Sequence, residues 1–364
     1  MSSVDKVMVY GAYGHTGRFV VAELEKRGYE PLPSGRDANK LAEFPGARPA
    51  SVDDPASLDR AMDGAAAVIN CAGPFAATAA PVIDAAARAG IPYVDVAAEI
   101  EANIDTFKVD VSTLVVPAMA FFGGLGDLMA TAAMGDWTSA DSVHVAYALS
   151  SWHPTAGTRA AGAVSRERRN GRRIRYANGQ LEYRDDAPPT EEWTFPAPLG
   201  TQPVIGEFSM ADIVTIPTHL DVREVRTYMT TKAAKDVLTQ PVSDERTAES
   251  FVVDVIVRSG DAERRIVARG QDIYAVTAPL AVEAVHRVLS GQTNATGIVS
   301  AGEAFDSEDF LRALSPQVEV EIVGVWGARP PKKYDERLGE VAKQPSRVAL
   351  REWAPGGSNP EPAD

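Results

Sequence analysis

The sequence predicts an α/β protein: a doubly wound parallel sheet in the first third, followed by a second, mixed α+β domain. Three observations carry this. The apolar run Val7-Met8-Val9-Tyr10 enters a turn with glycine at 11, 14 and 17, and a helix-like segment comes next. Up to about residue 120, short apolar runs alternate with helical stretches, the pattern of parallel strands covered by helices. Beyond about residue 126 the runs alternate strictly between apolar and polar, the mark of antiparallel strands with one wet face. At 364 residues the chain exceeds one ordinary domain.

Taken in order, residues 7–10 read as the first strand and 16–26 as its helix. A weaker second strand at 29–34 contains Pro31 and Pro33, which suits an edge or a strand end. Next come a short helix at 37–43, a strand at 47–51 and a helix at 55–62, the last with Asp54 to cap it and Pro55 at its first position. Residues 66–71 read as a buried strand, 79–89 as an Ala-rich helix, 93–96 as a strand and 113–117 as the sixth. A small-residue helix at 128–134 opens the second domain, with strands at 143–149, 222–227 and 318–325. Residues 251–257 and 264–269 form a hairpin candidate joined through Ser259-Gly260-Asp261. Amphipathic helices fall at 278–289 and 307–314. The domain boundaries are therefore 1–126 and 127–275, with helices from 276–315 returning to the first domain. Residues 316–350 are a strand and extension, and 351–364 a disordered tail.

Hydrophobic content of 45% and charged content of 24% are those of a water-soluble globular chain, and no run of about 18 apolar residues is present to span a membrane. The N-terminus runs straight into the first strand with no signal peptide ahead of it, and the single cysteine, Cys71, makes no disulfide framework; both fit the cytoplasm. A net charge of −14 argues against nucleic acid as a partner. The five histidines show no paired ligand spacing and no metal site is expected. A Gly-x-Ser-x-Gly elbow and a phosphate-binding Walker loop are both missing, which removes hydrolase and phosphoryl-transfer classes.

The glycine turn carries the chemistry. In a strand–turn–helix context, glycines permit a tight turn, close approach of backbone to a pyrophosphate, and packing of helix on strand, while the helix N-terminus offers free N–H groups. This makes Gly11, Tyr13, Gly14, His15, Thr16 and Gly17 candidates for a dinucleotide site of Rossmann type. The second strand ends Ser34-Gly35-Arg36-Asp37, with Lys40 one turn on. A hydroxyl and two cations suit a ribose 2′-phosphate, so Ser34, Gly35, Arg36 and Lys40 point to NADP(H). Asp37 is the acid an NAD site would use, or the cap of the next helix. Asn70, Ala72, Gly73 and Pro74 end the fourth strand, where small residues let the cofactor approach. Cys71 among them reads as an ordinary small buried residue.

Residues 9–17, Ser34-Gly35-Arg36, Val68-Ile69-Asn70-Cys71-Ala72-Gly73-Pro74-Phe75 and Ala89-Gly90-Ile91-Pro92-Tyr93-Val94-Asp95-Val96-Ala97-Ala98-Glu99 resemble saccharopine dehydrogenase-like reductases, trans-acting enoyl reductase-like members included. Looser echoes lie at 118–127, 157–158, 274–289 and 297–314. The resemblance implies a Rossmann domain bound to NADP(H) and a mixed domain that contributes substrate contacts and a dimer interface. It also implies reduction of an imine or of a C=C bond. The family's motifs for amino-acid substrates are not recognisable here.

Such a reduction needs a proton donor. His153 is a candidate acid, because an imidazole can donate a proton, or is a structural loop residue beside Trp152 and Pro154. Asp127, after a Gly-rich loop, is a substrate contact or a helix N-cap. Tyr93, Asp95 and Glu99 flank a strand tip facing the crevice, where the two acids could instead cap the next segment. Tyr228 and Lys232 have the spacing of the short-chain dehydrogenase pair, but the strand at 222–227 removes the helix that pair requires. Arginines at 159, 166, 168, 169, 172, 173 and 175 form a basic patch in an acidic chain. It is fit for an anionic small molecule, an acyl-carrier protein or a homodimer face, or is a solvated surface balanced by Asp185, Asp186, Glu191 and Glu192. Two functions are compatible with these residues: an NADP(H)-dependent oxidoreductase acting on a small or carrier-bound substrate, or a non-catalytic NADP(H)-binding sensor or scaffold.

Overall fold

The computed structural model describes residues 4–243 and 249–326. The first third forms β1 (Lys6–Tyr10), α1 (His15–Lys26), β2 (Glu30–Gly35), α2 (Ala38–Leu41), β3 (Arg48–Pro49), α3 (Pro55–Met62), β4 (Ala67–Asn70), α4 (Phe75–Ala89), β5 (Tyr93–Asp95), α5 (Ile100–Thr106) and β6 (Val115–Val116). All six strands run parallel in the order β3-β2-β1-β4-β5-β6. The order reverses between β1 and β4, and there a crevice opens at the strand C-termini, the place where open α/β sheets hold ligands. Val7, Met8, Val9, Ala67, Val68 and Ile69 are fully buried because helices cover both faces.

Two local expectations are corrected. β2 is an interior strand despite its prolines, and β3, two residues long, is the edge. Pro31 and Pro33 share one side of β2, the side facing β3, and β3 pairs only with Ser34 and Gly35. The missing N–H groups therefore fall where no acceptor waits. The Ala-rich helix begins at Phe75 rather than 79 and carries Pro81 inside it.

α6 (Gly124–Met134) leads into the second unit: β7 (Ala140–Leu149), α7 (Ala156–Arg168), β8 (Arg173–Ala177), β9 (Gln180–Arg184), β10 (Thr190–Phe195), β11 (Gly200–Gly206), α8 (Asp212–Thr215), β12 (Val222–Thr230), α9 (Thr231–Thr239), β13 (Ser250–Ser259), β14 (Ala262–Gln271), α10 (Thr277–Leu289), α11 (Ala301–Ala304), α12 (Ser307–Ala313) and β15 (Val318–Trp326). Its strands run β10-β11-β12-β7-β13-β14-β15, with β8 and β9 alongside β12. Alternation predicted an antiparallel sheet, but β12 and β7 pair in parallel, because the long segment between them crosses over and returns. The β13–β14 hairpin closes from Ser259 to Ala262 with Gly260 at φ +57°.

This sheet curls. Trp193 on β10 reaches across to donate to Asp254 Oδ2 on β13 at 2.8 Å, and Arg265 on β14 donates to the Thr194 carbonyl at 2.8 Å. The curl encloses a small core of Ala146, Phe195, Val204, Tyr228 and Ile256, while the other face joins the main core. Asp254 is fully buried, and Arg265 pairs with it through two bonds of 2.8 and 2.5 Å.

The end of the described chain comes back to the first sheet. α10 lies on α1, tied by the Arg27–Glu283 ion pair at 2.5 Å and by Tyr29 Oη to His286 Nδ1 at 2.8 Å. α11 and α12 pack on α6. Residues 297–299 run beside β6 as a parallel bridge: the Val115 N–H donates to the Gly297 carbonyl at 2.9 Å, and the Val299 N–H to the Val115 carbonyl at 3.1 Å. The extension to 350 and the tail at 351–364 lie outside the described residues beyond 326. Among the described residues, no helix is long and apolar enough to cross a membrane.

Replacing Asp254 by Ala strands Trp193 Nε1 and a half-buried guanidinium. The expected cost is about 3 kcal/mol of unfolding free energy, measured by urea denaturation against the parent chain.

Candidate cofactor and substrate cleft

The glycine turn is a cradle with no room for side chains. Gly11 has φ +85°, and a Cβ there would lie 2.8 Å from the Ala72 nitrogen. A Cβ on Gly17 would lie 2.2 Å from the Gly11 carbonyl oxygen. Gly11 and Ala12 N–H groups both bond the Ser34 carbonyl, at 2.8 and 3.0 Å, so the turn is pinned across the tip of β2. α1 starts after Gly14 with no side chain capping it, which leaves the first N–H groups, from His15 on, turned to the crevice.

At the tip of β2 the predicted set divides. Ser34 is fully buried and its hydroxyl donates to the Arg48 carbonyl at 2.7 Å, so that hydroxyl is committed to the protein. Gly35 lies against Tyr13, whose ring also sits under the Lys40 ammonium at 5.5 Å. Arg36 and Lys40 are exposed. Asp37 caps α2, its Oδ1 accepting from the Asn39 and Lys40 N–H groups at 3.0 and 3.3 Å. The one acid at this tip is thus occupied, and two cations remain.

At the tip of β4, Asn70 is buried and organises the loop that carries Ala72, Gly73 and Pro74. Its Oδ1 accepts from the Ala72 N–H at 3.0 Å, and its Nδ2 donates to Thr78 Oγ1 at 3.3 Å and to Tyr93 Oη at 3.1 Å. Tyr93 in turn donates to Asp95 Oδ2 at 2.8 Å, and Asp95 Oδ1 accepts from the Ala97 and Ala118 N–H groups at 3.0 and 2.8 Å. Tyr93 therefore faces the interior rather than the cleft, and burial pushes its phenol well above its ordinary range. This corrects its placement as a residue facing the crevice. Cys71 touches the cleft, but burial and the neighbouring Asp95 carboxylate push its thiol up, away from nucleophile chemistry. Glu99 reaches across to the start of α4, accepting from the Phe75 and Ala76 N–H groups at 2.8 and 3.2 Å. Burial lifts its carboxyl above the usual range, although those two donors oppose the shift.

These tips form the floor of a cleft of about 620 Å³, with Thr16, Cys71, Gly73 and Glu99 on the cofactor side. The second domain supplies the opposite wall with Trp152, α7 and Tyr274, and Phe121 and Phe122 line the cleft from the loop before α6. Tyr274 was missed by sequence reasoning. Its hydroxyl accepts from Trp152 Nε1 at 3.0 Å and lies 2.9 Å from Thr158 Oγ1, while its ring stands edge-on to His15 at 5.2 Å. Burial raises its phenol pKa, so it stays protonated at neutral pH. No local pattern marks Tyr274; only the return of the chain after β14 brings it to the glycine turn.

The other proton-donor candidates lie elsewhere. His153 is half-buried and its Nδ1 pairs with the Glu249 carboxylate; the residue is absent from the cleft lining. Asp127 is fully buried in the first turn of α6 and is neither an N-cap of that helix nor a wall of the cleft. Its Oδ2 accepts from the Gly302 N–H at 2.7 Å, securing the start of α11, and its Oδ1 lies 3.6 Å from His219 Nε2. Close by, Tyr147 donates to Asp212 Oδ1 at 2.7 Å. Burial, with the Asp127 charge adding to it, raises the Asp212 pKa to about 7. Tyr228 is buried against His144, and Lys232 pairs with Asp236, so they do not act together. Among the described residues no cluster of His, Cys, Asp and Glu is placed to hold a metal.

The basic patch is mostly neutralised from within. Arg168 pairs with Asp105 at 2.5 Å, Arg169 with Glu101 at 3.1 Å, and Arg175 with Glu182 at 2.7 Å. Arg173 pairs with Glu207 and Asp186, and Arg172 stacks on Tyr183 at 4.5 Å. Of the acids expected to balance the patch, only Asp186 does so.

Residues 11–108 match a family model described as NAD(P)H-binding, and this part of the chain is a Rossmann-type NAD(P)H-binding domain. The chain is 31% identical over 142 residues to a probable mitochondrial saccharopine dehydrogenase-like oxidoreductase of Arabidopsis thaliana, an overlap of 32% of this chain. The chain spans 31% of that relative's length. Among solved structures, a putative exported protein from Burkholderia pseudomallei is 28% identical with a TM-score of 0.24, covering 27% of this chain and 49% of that one. A short-chain dehydrogenase/reductase from Veillonella parvula, in complex with NADP, is 18% identical with a TM-score of 0.23, covering 26% and 48%.

Two measurements test this geometry. Gly17→Ala forces α1 away from β1 and is expected to weaken NADPH binding at least tenfold, read by quenching of tryptophan fluorescence. Asp212 has a folded pKa above its unfolded value of 3.8, so its contribution to stability is complete below about pH 4 and is lost as pH rises through about 7. Melting temperatures from pH 5 to 8 should fall more steeply for the parent than for Asp212→Asn; parallel profiles would refute the shift.

Proposed function

We propose that the protein is an NADP(H)-dependent oxidoreductase that reduces an imine or an activated C=C bond of a small or carrier-bound substrate in the 620 Å³ cleft. The observation that carries this reading is that the glycine cradle and the tips of β4 and β5 open directly into an apolar cleft walled by a second domain. A domain that only sensed the dinucleotide would have no use for such a wall.

The residues fit the cofactor: a Cβ would fill the cradle at Gly11 and Gly17, and α1 is uncapped at its start. Gly11, Gly14, His15, Thr16 and Gly17 would hold the pyrophosphate, Arg36 and Lys40 the 2′-phosphate, and Ala72 and Gly73 the far end of the molecule. When bound, the dinucleotide supplies the hydride. The chain's own work is to orient the substrate, exclude water and deliver one proton. Tyr274 is the side chain assigned the last of these, since it lines the cleft and the Trp152 N–H would support the phenolate left after transfer. Thr158 and Thr155, whose hydroxyls lie 3.0 Å apart, continue the hydrogen-bonded path from Tyr274.

NADPH is expected to bind at least tenfold more tightly than NADH, and Arg36→Ala with Lys40→Ala to erase the difference while NADH binding stays as it was. Turnover is tested by NADPH oxidation with a panel of cyclic imines and α,β-unsaturated thioesters. Tyr274→Phe should lower kcat about a hundredfold with little change in KM. Tight NADPH binding with no hydride transfer to any acceptor in either class would refute the enzyme.

A further inference from the structure

We propose that the cleft takes a substrate with an apolar acyl chain bearing one anionic group, and that Arg166 and Arg159 on α7 recognise that group. This deepens the reductase reading above and rests on it for the role of the cleft.

The walls set the first half of the argument. Phe75, Phe121, Phe122, Trp152, Val237 and Ile273 line the cleft, and together they suit a hydrocarbon body far better than a sugar or an amino acid. At the rim the apolar surface continues outward: Leu238, on the lining, is 70% exposed. Large apolar side chains left open beside a pocket mark a path for an apolar ligand.

The charges set the second half. Among the lining residues the acid is Glu99, and both of its oxygens are taken by the N–H groups of Phe75 and Ala76. Three arginines of the α7 region line the same space: Arg159, Arg166 and Arg169. Arg169 is spent on Glu101 and on Ser165 Oγ. Arg159 donates from Nη2 to the Leu238 and Gln240 carbonyls at 3.2 and 2.9 Å. Those partners hold the guanidinium in place, and among the described residues no acid pairs with it. Arg166 is exposed and has no acidic partner among the described residues. Arg159 and Arg166 are seven residues apart, so they stand on one face of the helix, about 10 Å apart along its axis. Every other arginine of the patch has found its acid or its ring within the fold. Two guanidinium groups without an acid beside an apolar wall give that end of the cleft a positive field, which favours a ligand bringing the opposite charge. Guanidinium forks match carboxylate and phosphate oxygens, so the anion is the carboxylate of a free acid or the phosphate of a tether.

The test is calorimetric titration of the full chain, saturated with NADP+, using octanoate, octyl phosphate and 1-octanol. The anions should bind at least tenfold more tightly than the alcohol, and whichever anion binds better identifies the source of the charge. Arg166→Gln should weaken both anions about tenfold and the Arg159→Gln, Arg166→Gln double variant about a hundredfold. Octanol and NADPH affinities should not change. Equal binding of octanoate and octanol, or anion binding indifferent to the substitutions, overturns the proposal. So does a loss of NADPH affinity in the variants, since the arginines would then serve the cofactor. Failure of the parent chain to bind NADPH would instead refute the reductase reading, and the same octanoate–octanol comparison without cofactor would still decide this one.

Discussion

A buried chain of hydrogen bonds, Thr78 to Asn70 to Tyr93 to Asp95, holds the C-terminal ends of β4 and β5 together and reaches the start of the next loop at Ala118. The loops that carry Cys71, Gly73, Val96, Ala98 and Glu99 to the cleft leave from these ends. Asn70 sets the Ala72 backbone, Ala72 closes against Gly11, and that contact in turn demands glycine in the turn. In a low-dielectric interior each such group costs about 1–3 kcal/mol if left unpaired, so the chain is stable only when complete. The tyrosine that reads as a catalyst in the sequence is needed instead as a link in this chain.

The acids buried in the fold show three ways of keeping a carboxyl out of water. Asp254 is paired with a guanidinium and an indole N–H. Glu99 is bound by two backbone amides at a helix start. Asp212, with a tyrosine donor but no cation, holds its proton up to about pH 7. The arginine-rich region follows the same economy, since five of its seven guanidinium groups are answered by acids or a ring within the fold. The two with no such partner among the described residues both line the cleft.

The features legible in the sequence are those that depend on local chemistry. The glycine turn, the strand–helix alternation and the β13–β14 hairpin arise from φ requirements, hydrophobic period and turn residues. The interior place of β2 was hidden because its prolines are tolerated only through the shortness of β3, a fact about a different strand. The parallel pairing of β12 with β7 depends on how some eighty residues between their starts cross over, which no window of sequence contains. Tyr274 and the partners of Asp127 come from distant segments: Tyr274 meets Thr158 across 116 positions and Asp127 meets Gly302 across 175. Side chains recruited over such distances carry no periodic signal, so the glycine turn was readable and the wall opposite it was not.

The bridge between β6 and residues 297–299 has a consequence for how the protein is made. The strand on that side of the nucleotide-binding sheet is only two residues long, and its outer backbone groups are answered by a segment translated some 180 residues later. While the ribosome is still producing the second domain, the nascent first domain carries an open sheet margin and an uncovered α1 flank, since α10 has not yet emerged. Unpaired margins of this kind invite association with other chains. The order of synthesis thus works against the usual independence of an N-terminal nucleotide-binding domain, whose completion awaits nearly the whole described chain.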